Sequence, residues 1–183
     1  TALITDSDDA EATGTLVVTG SAVEGGSLTA ALNNLVDEDG TTTTNYLWQL
    51  SDDGIGSWRS LAVFTANFAI PDDQSLVDKY LRLIVTTTDV LGGTTNFTST
   101  ALQVENVNDD PTGSVTIIGS AVEGRVLTAN PTLLSDEDGL GTFSYQWLRN
   151  GAAIAGGTGS TYTPGGSDVG TRISVQVSYT DGH

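Results

Sequence analysis

The chain has 183 residues, with 23 Asp and Glu against 6 Lys and Arg and a formal net charge of −17. Nucleic acid and anionic membrane both need a basic face, so neither is expected as a partner. There is no Cys for disulfide or thiol chemistry, and no apolar run approaches membrane-spanning length, so no direct membrane insertion is expected. With 38% hydrophobic residues, including three Trp, five Tyr and four Phe, the chain can bury cores instead of remaining a disordered acidic tail. No signal peptide is recognisable, and the chain reads as an interior piece of a longer polypeptide.

Taken in order, the predicted elements are almost all strands. Residues 1–5 (Thr-Ala-Leu-Ile-Thr) align with residues 100–104 at an offset of 99 and read as the tail of a preceding repeat's last strand. Strands follow near 15–20 (A), 26–33 (B), 45–51 (C), 57–64 (C′ or D), 67–71 (E), 80–88 (F) and 97–104 (G). Leu81, Leu83 and Val85 alternate with Arg82, Ile84 and Thr86, the period of a half-buried strand. Tyr46, Trp48 and Leu50 place large side chains on one face of another. Residues 41–44, four consecutive Thr, are assigned to a loop. A second set of strands is expected near 114–119, 125–130, 143–149, 152–155, 160–163 and 172–180. Asn150-Gly151 marks a hairpin turn, since both residues tolerate positive φ. Only residues 72–79 and 164–170 resemble a helical turn.

Two copies of one unit account for this order. G-S-A-V-E-G at 20–25 recurs at 119–124, Leu28-Thr29-Ala30 as Leu127-Thr128-Ala129, and Asp37-Glu38-Asp39-Gly40 as Asp136-Glu137-Asp138-Gly139. Tyr46-x-Trp48 recurs as Tyr145-x-Trp147. A fixed period of 99 residues is too long for a solenoid repeat, so each copy is a small domain. Short strands at 8–12-residue spacing, with a Trp on the third, imply an all-β fold: tandem immunoglobulin-like antiparallel β-sandwiches joined end to end. The expected organisation is a tail and linker at 1–12, a sandwich at 13–105, a calcium-binding linker at 106–111, and a second sandwich at 112–183 lacking its last strand. An open sheet edge would then invite cover, with residues 1–5 of a neighbouring molecule as the expected donor.

The ordered motifs carry a resemblance. V-x-N-V-N-D-x-P-T-G is followed by A-x-E-G-x-x-L-T-A, D-x-D-G-x-G, Y-x-W and S-D-V-G-x-x-I-x-V-x-V-x-Y-T-D-G. This order resembles the immunoglobulin-like extender repeats of large bacterial RTX adhesins and, more distantly, cadherin repeats with calcium-binding linkers. The pieces are Glu105-Asn106-Val107-Asn108-Asp109-Asp110-Pro111, Glu123-Gly124, Asp136-Glu137-Asp138-Gly139-Leu140-Gly141 and Ser167-Asp168-Val169-Gly170. The resemblance implies a secreted, cell-surface setting. The linker Asp6-Ser7-Asp8-Asp9-Ala10-Glu11 departs from the pattern in lacking both Asn residues and the Pro, which implies a weaker or differently built site.

Strand direction leads independently to calcium. Loops alternate between the two ends of a sandwich, so the A–B loop with Glu24 and the end of strand G with Glu105 share one end. In the next domain the B–C loop, with Asp136 and Asp138, and the F–G loop, with Asp181, face that junction. Glu24, Glu105, Asn106, Asn108, Asp109, Asp136, Asp138 and Asp181 are therefore the expected ligands. Related half-sites are expected at the outer ends, with Asp37, Asp39 and Asp89 facing residues 6–11, and with Glu123 facing a missing partner. Such an oxygen-rich set suits Ca²⁺, while zinc or copper would lack nitrogen and sulfur ligands. Solvated turns are the ordinary fate of single Asp-Gly stretches; their repetition at one predicted end favours a metal.

The remaining features rank lower. Ser51-Asp52-Asp53-Gly54-Ile55-Gly56-Ser57-Trp58 resembles an Asp-box hairpin with Ile in place of a Gly; Trp58 could stack on a sugar, though closing its own hairpin is the ordinary role. No enzyme activity is expected, because the only His is His183 and the nucleophile arrangements that need one are absent. Two functions remain: a calcium-stiffened spacer whose partners are neighbouring repeats of the same chain, and a glycan- or protein-binding module using the Trp58 hairpin.

Overall fold

The computed structural model describes residues 10–182 and divides into two units, Thr1–Val107 and Asn108–His183. The protein is all-β: its described elements are strands, apart from one turn of 3₁₀ helix. In unit one these are β1 (Thr13–Gly20), β2 (Ser27–Val36), β3 (Thr41–Ser51), β4 (Arg59–Ser60), β5 (Asn67–Ala69), β6 (Tyr80–Asp89), β7 (Thr94–Thr98) and β8 (Leu102–Gln103). One sheet runs β1-β2-β5, and the other β4-β3-β6-β7 with β8 also paired to β6. All ladders are antiparallel, and a single parallel bridge joins Val23 to Glu105.

The period-two pattern decides which faces meet. Leu81, Leu83 and Val85 of β6 are fully buried and pack with Trp48 and Leu50 of β3 against Leu28, Ala30 and Phe68 of the opposite sheet. Each such aliphatic side chain contributes about 1.5–3 kcal/mol on leaving water. Trp48 is 0% exposed, lies 5.2 Å from Phe68, and donates its indole N–H to the Thr65 carbonyl at 3.0 Å. Burying the ring this way leaves the indole N–H paired.

Unit two repeats the plan with β9 (Thr116–Ile118), β10 (Leu127–Asn130), β11 (Ser144–Arg149), β12 (Ala152–Ala153), β13 (Thr161–Tyr162) and β14 (Ile173–Ser178), in sheets β13-β10-β9 and β12-β11-β14. Trp147 is again 0% exposed, stacks on Tyr162 at 5.5 Å and donates to the Gly159 carbonyl at 2.9 Å. The β11–β12 hairpin turns at Asn150 and Gly151, with φ of 49° and 83°, as the Asn-Gly pair predicts. A glycine that backbone sterics require ends β1 and another directly follows β9. A Cβ on Gly20 (φ 116°) would meet the Ser27 carbonyl oxygen at 2.1 Å, and one on Gly119 (φ 124°) would meet that of Val126 at 2.5 Å. The offset of 99 between Trp48 and Trp147 falls to 92 between their ladder partners, Leu83 and Val175, so the extra residues of unit one lie in the connection between β3 and β6.

Several local expectations change. Residues 41–44 are not a loop: Thr41, Thr43 and Thr44 pair with Asp89, Thr88 and Thr87 across a bulge. Ladder hydrogen bonds and β-branched geometry hold this stretch without burial of an apolar face. The single G strand is two pieces, because Ser99 interrupts it: its hydroxyl accepts the Leu83 N–H at 2.9 Å, while its own N–H donates to the Leu83 carbonyl. Strand 57–64 is reduced to Arg59–Ser60. Residues 72–79 form turns without a helix, whereas 164–170 contains the 3₁₀ turn Gly166–Asp168.

Candidate metal centre

The D-x-D-G turn is the same device in both units. The first Asp accepts the N–H of the third residue through Oδ1, Asp37 from Asp39 at 3.1 Å and Asp136 from Asp138 at 3.0 Å. Its carbonyl accepts the glycine N–H that closes the turn, Gly40 and Gly139 respectively. The second Asp then reaches back 29 residues to the incoming chain. Asp39 Oδ2 accepts the Ala10 N–H at 2.7 Å, and Asp138 Oδ2 accepts the Asp109 N–H at 2.6 Å. The two contacts fall on corresponding atoms one repeat apart. They are short, charge-assisted bonds that fix a carboxylate against the segment leading into the sandwich.

In unit two, Asp109, Asp136 and Asp138 gather at one end. Asp138 is buried, its carbonyl accepts the Gly182 N–H at 3.1 Å, and Asp136 Oδ2 accepts the Tyr179 hydroxyl. That bond, then burial, then the charges of Asp136, Asp181 and Asp138 push the Tyr179 phenol up to about 12. Glu137 stands between two of them in the turn, and Asn108 donates to the Asp109 carbonyl at 3.1 Å.

In unit one, the other end collects Glu24, Glu105 and Asn106. Glu24 is buried, and its N–H donates to the Glu105 carbonyl at 2.9 Å. Its Oε2 accepts the Val107 N–H at 3.4 Å and one Gln74 amide N–H at 3.2 Å. The Asn106 Oδ1 accepts from the same Gln74 nitrogen at 2.8 Å. Two oxygens therefore converge on one donor nitrogen, a position that a cation could take. Glu105 contributes backbone contacts here while its side chain is exposed. At the opposite end of unit one, Asp37 and Asp39 come together as described, and Thr41 donates to Asp37 Oδ2 at 3.2 Å. Asp89 is buried, and its Oδ1 accepts the N–H groups of Leu91, Gly92 and Gly93, ordering its own turn. Residues 6–9 of the facing segment lie outside the described residues. Glu123 is exposed at the corresponding end of unit two.

The donors at these ends are carboxylate, amide and carbonyl oxygens. That set fits a hard cation of irregular coordination, calcium above magnesium, and offers nothing to a thiophilic metal. Gln74 and Tyr179 escaped the sequence reading. Gln74 lies in a segment that reads as a helical turn, and Tyr179 enters only as the Tyr of the Y-T-D-G motif on the strand expected at 172–180.

Unit two also holds a polar cluster with no counterpart in unit one. Arg149 Nε donates to Asp168 Oδ1 at 2.6 Å; Asp168 Oδ2 accepts the Tyr162 hydroxyl at 2.7 Å and the Gly165 N–H at 2.8 Å. The Tyr162 hydroxyl, then Arg149, then the Gly165 N–H hold the Asp168 carboxyl down at about 2, against its burial. The positions of Arg149, Asp168 and Tyr162 are filled in unit one by Leu50, Leu76 and Phe68, all buried in the core. An apolar corner in one repeat is thus an ion pair in the other.

The Asp-box-like hairpin is built as a turn. Asp53 Oδ1 accepts from the Ser51 hydroxyl and from the Ile55 and Gly56 N–H groups. The Arg82 guanidinium lies 4.1 Å over the Trp58 ring and donates to Gln49 at 2.8 Å, so one face of the indole is already covered within the domain.

No protein-family model matches the chain, and no curated protein matches it. Among solved structures, one with a TM-score of 0.34 and 13% identity is that of a Ca²⁺-stabilized adhesin that helps an Antarctic bacterium reach out and bind ice. The match takes in 96% of this chain but only 49% of that one, so this chain spans about half its length. At that degree of likeness it is a resemblance to record, and the functional reading rests on the residues themselves.

Proposed function

We propose that this chain is a spacer segment of a bacterial cell-surface adhesin, two sandwich repeats stiffened by calcium where they join and holding a distal binding region away from the cell. The carrying observation is the repeated grip of Asp39 on the Ala10 N–H and of Asp138 on the Asp109 N–H, which commits a carboxylate to the linker in each repeat. Glu24 holds the Val107 N–H, and Asp109, held by Asp138, follows two residues later in the sequence. In this reading calcium is held by Glu24, Asn106 and Glu105 from one side, Asn108 and Asp109 from the linker, and Asp136, Asp138 and Asp181 from the other. Asp37, Asp39, Asp89 and Glu123 serve junctions with further repeats. The protein acts by geometry and not by catalysis, in an extracellular setting where calcium is plentiful.

Physical chemistry supports the assignment. Two carboxylates about 4 Å apart repel by roughly 4 kcal/mol at an effective dielectric near 20, so a cluster of them favours a bound cation. Extracellular calcium modules bind at about 10⁻⁴–10⁻³ M. At about 100 times the dissociation constant, one such site raises stability by about 2.7 kcal/mol. Calcium titration followed by calorimetry is therefore expected to raise the melting temperature, with magnesium far less effective. An unchanged melting curve at 10 mM calcium (roughly a hundredfold over the tighter end of that range) overturns the reading. Binding through the Trp58 hairpin is the weaker alternative, given the Arg82 cover.

A further inference from the structure

Strand β7 lies at the edge of its sheet in unit one: it pairs with β6 and, among the described residues, with no second strand. Its sequence, Thr94-Thr95-Asn96-Phe97-Thr98, holds no charge and no proline, and its register with β6 runs without a bulge. No charged residue falls between Asp89 and Glu105. Charges, prolines and bulges are what keep an exposed edge from pairing with other chains, so β7 lacks the usual guards. Ala12 reaches the strand through a side chain, its N–H donating to the Thr95 hydroxyl at 2.9 Å.

The same strand carries Asn-x-Thr with a middle residue other than proline, the acceptor pattern for N-linked sugar. In this sequence the pattern occurs at Asn96-Phe97-Thr98 alone. Asn130-Pro131-Thr132 has the excluded proline, and its Asn130 Oδ1 is turned back onto the Thr132 N–H at 3.2 Å. Strand alternation sorts the three residues of the pattern. Phe97, opposite Val85, packs against the core, while Asn96 and Thr98 are exposed together on the outer face, their Cα atoms about 7 Å apart. Asn96 stands in a row with Thr86 and Asn45. The Thr86 hydroxyl donates to Asn96 Oδ1 at 2.6 Å, and among the described residues Asn96 Nδ2 donates to no protein atom. The amide is thus held by its oxygen with its nitrogen left for another group.

We propose that Asn96 is the acceptor of an N-linked glycan that guards the β7 edge. The donor is a sugar diphosphate, brought by a glycosyltransferase that reads Asn96 and Thr98 from one side. In the transfer Asn96 Nδ2 bonds to the anomeric carbon and the bond from that carbon to the phosphate oxygen breaks. The diphosphate leaves with the electron pair, and Nδ2 gives up one of its two protons. Oδ1 is untouched by this chemistry, so the bond from Thr86 survives and the strand keeps its place. The sugar then stands over the outer face at the sheet's edge, a bulky and soluble group where charge and proline are missing.

The full chain is to be produced in two hosts and its intact mass measured. One host exports it past a membrane oligosaccharyltransferase that draws on lipid-linked sugar diphosphates; the other holds a soluble N-glycosyltransferase that draws on nucleotide-linked ones. The mass is expected to rise by a single glycan in at least one host, an oligosaccharide in the first or a lone hexose in the second naming the source. Asn96→Gln and Thr98→Val are each expected to remove the increment, and Thr98→Ser to retain it. Melting and light scattering are then followed in chelator, so that calcium plays no part and the proposed function stands or falls separately. The glycosylated chain is expected to melt where the Thr98→Val chain does, because Nδ2 has no structural partner to lose, and to begin aggregating at a higher temperature. An unmodified chain in both hosts, or an increment that survives Asn96→Gln, overturns the proposal. A glycan that lowers the unit-one transition, or one that leaves the onset of aggregation unchanged, overturns it equally.

Discussion

Replacing Trp147 by Ala is expected to unfold unit two while leaving unit one intact. The indole is wholly buried, stacks on Tyr162 at 5.5 Å and donates to the Gly159 carbonyl. Truncating a buried Trp costs about 3–5 kcal/mol through lost burial and the cavity left behind. Stripping the Gly159 carbonyl of its donor adds about 1 kcal/mol or more. A domain of roughly 75 residues has about 4–11 kcal/mol of stability in total. Unit two has reason to sit low in that range, because its buried apolar cluster is only Leu127, Ala129 and Trp147. A loss of about 4 kcal/mol lowers the melting temperature of so small a domain by roughly 16–32 °C. Scanning calorimetry should therefore show one transition displaced or absent and the other unmoved; Trp48→Ala should displace the opposite one. Trp147→Phe, which keeps the stacking, should lose about 1–2 kcal/mol. A loss below about 2 kcal/mol for Trp147→Ala, or a joint shift of both transitions, refutes the reasoning that each Trp centres its own core.

Three further outcomes follow. Asp168 has a depressed carboxyl, so its contribution is complete above the unfolded value of 3.8 and is lost as pH falls towards about 2; Asp168→Asn should remove that acid-dependent step from the unit-two transition. Gly20→Ala places a Cβ 2.1 Å from the Ser27 carbonyl at a left-handed φ, and should cost unit one about 1–3 kcal/mol in denaturant unfolding, well above Gly56→Ala in the same unit, whose Cβ meets nothing. Asp138→Asn keeps the turn's shape but removes a charge from the proposed calcium site, and should weaken calcium affinity about tenfold by titration calorimetry, with little change when calcium is absent.

What could be read from sequence depended on whether burial or hydrogen bonding built each element. Leu81, Leu83 and Val85 declare their strand through alternation, and all three are buried where the period puts them. Residues 41–44 carry no such signal: all four are Thr, and backbone pairing with residues 87–89 made the strand. The break at Ser99 was hidden for a related reason, since a single hydroxyl taking the Leu83 N–H leaves no compositional trace. At the candidate site, repetition of Asp-Glu-Asp-Gly marked the loops, but the reach of Asp39 and Asp138 over 29 residues exists only in three dimensions. The Arg149–Asp168 pair did have a signal, for Arg149 replaces Leu50 one repeat earlier, and a charge at a core position must bring its partner.

The central claim is that calcium stiffens the join between the repeats, and small-angle scattering with and without chelator tests it most directly. Bound, carboxylate repulsion is neutralised and the two repeats are expected to scatter as one extended rod. Stripped, the linker is freed and the distance distribution is expected to broaden, with the calcium-dependent rise in melting temperature lost. An identical maximum dimension and pair-distance profile in both conditions, with no change in melting temperature, contradicts the account.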